Sequence, residues 1–234
     1  MNRLGPDGNL DPPVAHVDLH ERQLTLKLVY FGPPRSGKTT NLRMLHGRVD
    51  ALNRGRLMTL DTRDDRTLFF DLLPIFFRTS SLSFRIKVYT VPGQPMHEAT
   101  RRVVLQGADG VVFVADSHPG QAEANREAWA GMIRNRGELG LAATPIVLQY
   151  NKRDLATDDL AAVDRFDDPA RAVIAATAAR GEGVLATFLT AVGAIWDALE
   201  VSDGVGTRFA IDRGAFLRAV VAHVGGDERD ILPP

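Results

Sequence analysis

The sequence of 234 residues contains no cysteine, which excludes disulfides, cysteine-ligated metals and S-acylation. It also lacks an excess of charge of either sign, and a formal net charge of -1 gives no argument for nucleic acid or an anionic membrane as a partner. No apolar run approaches the ~18 residues of a membrane span, and residues 1–13 lack the apolar stretch of a signal peptide. These absences, together with the lack of a lipidation signal or membrane anchor, predict a soluble cytoplasmic protein.

Hydrophobic residues make up 44% of the chain, enough for a sizeable core, and their pattern divides it into three regions. Residues 1–21 carry several Gly and Pro, which predicts a flexible N-terminal arm. Strand-like and helical runs alternate over 22–200, which predicts an α/β domain: a mostly parallel six-stranded sheet with one antiparallel strand, from a hairpin over 66–91, and helices on both faces. Residues 201–234 form a C-terminal extension with a short helix over 214–225, more readily packed on its own domain than on a partner.

The segment "GPPRSGKT" lies between a predicted strand and a predicted helix and matches the phosphate-loop pattern. Backbone N–H groups of such a loop surround phosphates, and the helix N-terminus adds partial positive charge. Lys38 places its charge near the outer phosphates, and Thr39 offers a hydroxyl to a magnesium ion. Pro33 and Pro34 remove two amide donors. The predicted nucleotide-binding residues of this loop are Gly32, Arg35, Ser36, Gly37, Lys38, Thr39 and Thr40.

A second segment, "NKRD", follows a predicted buried strand and bears on the identity of the base. Asp154 can accept hydrogen bonds from N1–H and the 2-amino group of guanine, two donors that adenine lacks. Asn151 can brace the loop and reach the base edge, and the stem of Lys152 can lie over the ring. In "ATAARGEG" we expect Thr177 and Ala178 at the same site, with the Ala178 N–H meeting the guanine carbonyl oxygen.

These segments together resemble the small Ras-like GTPases, and within them the bacterial polarity and gliding-motility GTPases of the MglA type. The likeness covers about residues 22–200 and is carried by "YFGPPRSGKTTNL", "DDRTLFFDLLP", "YTVPGQ", "DGVVFVADS", "QYNKRDL" and "GEGV". It implies a P-loop NTPase with a Ras-like G domain. Thr90 stands where most Ras-like proteins have an aspartate that holds magnesium through water, and MglA-type proteins share this threonine. A neutral hydroxyl there would lower the affinity for the metal.

The resemblance implies hydrolysis of GTP to GDP and phosphate with Mg²⁺ as cofactor. Gln94 would orient the attacking water, and the Gly93 N–H would contact the γ-phosphate. Thr67 would sense the γ-phosphate and the metal, and Arg66 would act as an intrinsic arginine against transition-state charge. The predicted catalytic residues are therefore Gln94, Arg66 and Lys38, and the predicted metal ligands are Thr39 and Thr67.

The partners implied by the resemblance are a roadblock-domain activating protein of the MglB type, which would stimulate a slow reaction, and polarity or motility effectors that read the GTP form. Recruitment to a cell pole would follow. Two other functions remain open from the residues. Pro33, Pro34 and Thr90 would suit a guanine-nucleotide-binding scaffold with little turnover. An ATP-using P-loop protein, such as a kinase or partition ATPase, is disfavoured by Asp154.

Overall fold

A computed structural model describes residues 16–18, 21–60, 70–94, 97–156, 166 and 172–227. Within these ranges the strands are β1 His16–Asp18, β2 Gln23–Phe31, β3 Met58–Leu60, β4 Phe70–Arg78, β5 Ser83–Thr90, β6 Gly110–Asp116, β7 Ile146–Asn151 and β8 Val173–Ala175. The α-helices are α1 Lys38–Arg48, α2 Glu98–Leu105, α3 Ala122–Glu138, α4 Val184–Asp203, α5 Val205–Phe209 and α6 Arg213–His223.

The strands form one sheet in the order β3-β4-β5-β2-β6-β7-β8, and β1 also pairs with β2. Strands β5, β2, β6, β7 and β8 pair in parallel, whereas β4 runs antiparallel to both β3 and β5. The predicted α/β class, the mostly parallel sheet and the antiparallel hairpin strand are confirmed.

The predicted number of six strands is wrong, since the described residues form eight. The two additional strands, β1 and β3, have three residues each. A segment of that length is too short to show a hydrophobic period, and only the edge of another strand gives it a partner. Strand β1 lies in the region predicted as a flexible arm, where it pairs antiparallel with Gln23–Thr25.

The helices cover both faces of the sheet, as the alternating pattern predicts. Helices α1, α4 and α6 contribute to one core, and α2 and α3 contribute to the other. Strand β6 is buried at every position, in keeping with its continuous apolar run. The sheet therefore brings the C-terminal ends of β2, β6 and β7 to one edge, where loops after parallel strands commonly bind ligands.

Helix α4 is long and apolar enough to cross a membrane by length and composition alone. Its apolar stripe, which includes Phe188, Val192 and Trp196, is instead buried against the sheet, as in the core helix of a globular domain. Helix α6 covers part of the same core. Phe216 is fully buried and stacks on Trp196 with ring centroids 4.4 Å apart, so α6 packs on the domain.

Candidate functional site

The phosphate loop runs from the end of β2 to the start of α1 and is tightly curled. Gly32 and Gly37 have φ values of 144° and 102°, which side chains rarely adopt. A Cβ atom on Gly37 would lie 2.1 Å from Asn151 Nδ2, so the loop closely approaches the end of β7. Arg35 also has a positive φ, of 59°. This curvature allows backbone N–H groups to face a common centre.

Lys38 is buried at the first position of α1 and folds back on the loop. Its Nζ donates hydrogen bonds to the carbonyl oxygens of Gly32, at 2.9 Å, and Pro33, at 2.6 Å. Burial, and to a lesser extent the nearby Arg101 guanidinium, lower the pKa of Lys38 to about 7. A phosphate oxygen would offer the ammonium a charged acceptor and would therefore raise this pKa.

Asn151, at the end of β7, joins the phosphate loop to residues 176–183, the segment "ATAARGEG", which is called the guanine loop below. Its Nδ2 donates to the Ser36 carbonyl oxygen at 2.8 Å, and its Oδ1 accepts from the Ala178 N–H at 2.8 Å. In this structure the Ala178 N–H, which is predicted to meet the guanine carbonyl oxygen, donates to Asn151. The short distance between the two loops makes this contact possible, so the side chain of Asn151 fixes them relative to each other.

Lys152 and Asp154 lie on the turn after β7. Lys152 has a φ of 63°, and its Nζ forms an ion pair with Asp116 Oδ2 at 2.5 Å. Asp116 was not among the predicted site residues, although an acid at the end of the fully apolar β6 could have indicated it. The Asp154 carboxylate has one ion-pair contact within the described part of the chain, Arg180 Nη2 at 4.0 Å. Its oxygens therefore retain acceptor capacity for a ligand.

Two adjoining pockets lie on either side of the phosphate loop, and Arg35 borders both. The phosphate-side pocket, of about 280 Å³, is lined by Arg35, Lys38, Thr39, Thr59, Phe70, Asp71, Thr90, Val91, Pro92 and Gly93. The base-side pocket, of about 190 Å³, is lined by Arg35, Gly37, Thr40, Asn151, Lys152, Asp154, Leu155, Thr177, Ala178 and Ala179. Of the predicted phosphate-loop residues, Lys38 and Thr39 line the first pocket and Gly37 and Thr40 line the second, whereas Gly32 and Ser36 line neither.

An unpredicted acid, Asp71 on β4, lines the phosphate-side pocket. Its Oδ2 accepts hydrogen bonds from Thr39 Oγ1 at 2.7 Å and from Thr90 Oγ1 at 3.0 Å. Its Oδ1 accepts from Thr59 Oγ1 at 2.9 Å. Asp71 is buried, and it is the lone acid in the apolar run "TLFFDLLPIFF". A lone acid in an apolar strand could have indicated a site residue, because a buried carboxylate needs hydrogen-bond or charge partners.

The loop after β5 lies directly over the phosphate loop. A Cβ atom on Gly93 would be 2.4 Å from the Pro34 nitrogen. Arg101 Nη1 approaches the carbonyl oxygens of Gly93, at 3.5 Å, and Gln94, at 3.4 Å. The Gln94 side chain is exposed and is not among the residues that line the pocket. The predicted roles of Arg66 and Thr67 concern positions outside the described residues.

Comparison with known proteins gives the family. No protein-family model matches the chain. The curated mutual gliding-motility protein MglA of Myxococcus xanthus (strain DK1622) is 43% identical over 145 residues, which cover 61% of this chain and 74% of that protein. The chain belongs to the MglA-type small GTPases. The predicted family and the Ras-like P-loop fold are thereby confirmed.

In this MglA-type GTPase, strand β4 places a carboxylate next to Thr90, the residue that stands where most Ras-like proteins have an aspartate. The pairing of Leu72 with Tyr89 sets Asp71 beside Thr90, so a carboxylate reaches the pocket from the neighbouring strand. The oxygens of Thr39 and Asp71 are hard donors of the kind that Mg²⁺ prefers, and Thr90 hydrogen-bonds to Asp71 beside them. These residues therefore fit a magnesium ion, and Asp71 would supply the charge that a threonine lacks.

Proposed function

We propose that the protein is a molecular switch that binds GTP and hydrolyses it to GDP and phosphate. The observation that carries this proposal is the link through Asn151, which joins the phosphate loop at Ser36 to the guanine loop at Ala178 beside the Asp154 carboxylate. A cleft with cationic and N–H donors at one end and a carboxylate acceptor at the other is complementary to a guanine nucleotide. Membership in a GTPase family supports the same assignment.

The reaction transfers the γ-phosphoryl group to water: a new P–O bond forms, and the bond to the β–γ bridging oxygen breaks. Such chemistry depends on positioning and charge stabilisation. Lys38 would exchange its loop carbonyls for the outer phosphates, and Gly93 would donate its N–H to the γ-phosphate. Gln94 would orient the water once its loop closes over the pocket, and Arg66 would add positive charge.

Magnesium is the cofactor that we propose, and Thr39, Asp71 and Thr67 would hold it. The ion would neutralise charge that develops on the phosphate oxygens. Thr90 would keep Asp71 oriented through the hydrogen bond that joins them. The carboxylate of Asp71 already accepts the Thr39 hydroxyl, which supports a shared role for the two side chains.

The cellular role that we propose follows from the family: a cytoplasmic switch in cell polarity or gliding motility, recruited to a cell pole. Its GTP form would be read by effectors, and a roadblock-domain protein of the MglB type would accelerate its slow hydrolysis. Loss of the γ-phosphate removes anchors for the loops that contact it, which is how such switches change shape.

Single-turnover hydrolysis tests the proposal. Protein loaded with GTP should release phosphate slowly alone and faster with a roadblock-domain partner, and Lys38→Ala should abolish nucleotide retention. Equilibrium binding should also favour GTP over ATP. Retention of GTP without phosphate release under either condition would leave a guanine-nucleotide scaffold, and a preference for ATP would reject the proposed base pocket.

A further inference from the structure

A chain of three buried polar side chains lies beneath the nucleotide cleft. Asn41 on α1, Gln149 on β7 and Thr187 on α4 are each 0% exposed. Asn41 and Gln149 form a reciprocal amide pair, with Asn41 Nδ2 to Gln149 Oε1 at 2.8 Å and Gln149 Nε2 to Asn41 Oδ1 at 2.9 Å. Gln149 Nε2 also donates to Thr187 Oγ1 at 2.7 Å.

The two ends of the chain bind backbone carbonyls on opposite sides of the cleft. Asn41 Nδ2 donates to the Gly37 carbonyl oxygen, at 3.0 Å, in the phosphate loop. Thr187 Oγ1 donates to the carbonyl oxygen of Gly183, at 2.7 Å, and Gly183 is the last residue of the guanine loop, immediately before α4. The chain therefore connects the same two loops that Asn151 connects above it.

The hydrogen bonds of this chain fix one another's direction. Because Asn41 Nδ2 must donate to a carbonyl, its oxygen accepts from Gln149, and Gln149 is held in a single orientation. Both amide hydrogens of Gln149 are then used, so the Thr187 hydroxyl accepts from Gln149 and donates to Gly183. A buried network with all its donors satisfied is rigid, and displacement of either loop would leave a buried polar group unpaired.

Strand β7 gives this chain its position. Gln149 and Asn151 are two residues apart and therefore point to the same face of the sheet. One strand thus carries two parallel connections between the phosphate loop and the guanine loop: Asn151 at the cleft, and Gln149 beneath it. An apolar pair would fill the same space at similar stability, because replacing both partners of a buried hydrogen bond can be nearly neutral.

We propose that Asn41, Gln149 and Thr187 are positioning residues that fix the phosphate loop relative to the guanine loop, and thereby slow the release of guanine nucleotide. This inference rests on the proposed function. A ligand that spans both loops loses binding free energy when the loops move independently, whereas the stability of the fold depends on a filled core without unpaired buried polar groups.

Variants of Asn41 and Gln149 distinguish a role in positioning the two loops from a role in core packing. Asn41→Leu alone should lower the melting temperature and speed GDP release, because it leaves the Gln149 amide without its partner. The double variant N41L/Q149L should recover a melting temperature near wild type, yet still release GDP about tenfold faster. The measurements are thermal unfolding and the dissociation rate of a fluorescent GDP analogue from the full chain.

Recovery of both quantities in the double variant would overturn the inference and assign the pair to core packing. If that variant does not fold, Thr187→Val decides. It keeps the side-chain shape and the amide pair but leaves one Gln149 Nε2–H without its acceptor, so it should lower the melting temperature by less than Asn41→Leu does and should speed GDP release severalfold. An unchanged release rate in Thr187→Val would also reject the inference. Failure of the wild-type protein to bind GDP at all would instead reject the proposed function.

Discussion

Among single residues, Asp154 lies at the base-side pocket with its side chain 30% exposed and Arg180 Nη2 4.0 Å away. We expect Asp154→Asn to reduce the preference for GTP over ATP by about tenfold to a hundredfold, because hydrogen bonds to a charged acceptor contribute about 1.5–3 kcal/mol. Competition binding with labelled GTP measures this ratio. Arg180→Ala, which removes the neighbouring charge, should leave the preference nearly intact. An undiminished preference in Asp154→Asn would mean that Asp154 does not read the base.

Lys38 should make nucleotide binding depend on pH. Burial and Arg101 lower its pKa to about 7 in the folded protein, and a bound phosphate would raise it again. Above pH 7, binding must therefore take up a proton, so affinity for GDP should fall as pH rises, by up to about tenfold per pH unit.

Titration calorimetry in buffers of different ionisation enthalpy measures this proton uptake. Lys38→Arg keeps a cation that does not titrate in this range, so it should remove the pH dependence even if its affinity is lower. An affinity for GDP that does not change between pH 7 and 9 would contradict the assignment.

The same pKa shift makes the protein without nucleotide more stable as pH rises from about 7 towards 10.5, since the unfolded lysine then holds more protons than the folded one.

Among the secondary-structure elements, the register of β4 determines which of its side chains line the phosphate-side pocket. Its buried face alternates through Asp71, Leu73, Ile75 and Phe77, so a register slip of one residue would move Asp71 to the other face of the sheet. In this structure Leu73, Ile75 and Phe77 belong to the core beneath α1, α4 and α6, and this packing sets the register. The buried apolar residues of β4 therefore determine that Asp71 faces the phosphate-side pocket.

Asp71→Asn tests the role of that acid. The amide can still hydrogen-bond to Thr39 and Thr90, so the melting temperature should change little, but the lost charge should raise the magnesium concentration needed to retain GDP by about tenfold. Nucleotide release measured across a magnesium titration gives this value. Thr59→Val removes one hydrogen bond to Asp71 without changing charge, and it should behave nearly as wild type. Equal magnesium dependence in both variants would exclude Asp71 from the metal site.

At the scale of the whole molecule, the C-terminal extension completes the core. Phe216 stacks on Trp196 and approaches Phe84, with ring centroids 5.3 Å apart, while His223 stacks on Phe77 of β4 at 5.3 Å. The helix that carries Phe216 and His223 thus packs against the strand that carries Asp71. Stability of the nucleotide site and packing of the extension should therefore be connected.

Phe216→Ala should destabilise the protein by about 3–5 kcal/mol, the usual cost of removing a buried aromatic side chain. Denaturant unfolding measures this difference. Arg218→Ala, on the exposed face of the same helix, is the matched control and should change stability by less than about 0.5 kcal/mol. Near-equal stability of the two variants would show that the extension is not part of the cooperative core.

Local patterns in the sequence predict most of the fold and the family. The apolar run of β6 predicts a buried strand, and the spacing of Gly32, Gly37 and Lys38 predicts a phosphate loop, because both depend on neighbouring residues alone. The turn holding Asp154 is readable for the same reason. Three-residue strands, by contrast, carry no period, and β1 and β3 were missed.

Contiguous residues encode the α/β class, the segments predicted to bind nucleotide and the MglA-type family, so these can be inferred without coordinates. The contacts of Asp71 with Thr90, of the Ala178 N–H with Asn151, and of Gln149 with Asn41 and Thr187 follow instead from the folded arrangement. These contacts join residues between 19 and 108 positions apart. Their geometry depends on strand register and on how helices cross the sheet, which local residue preferences do not specify.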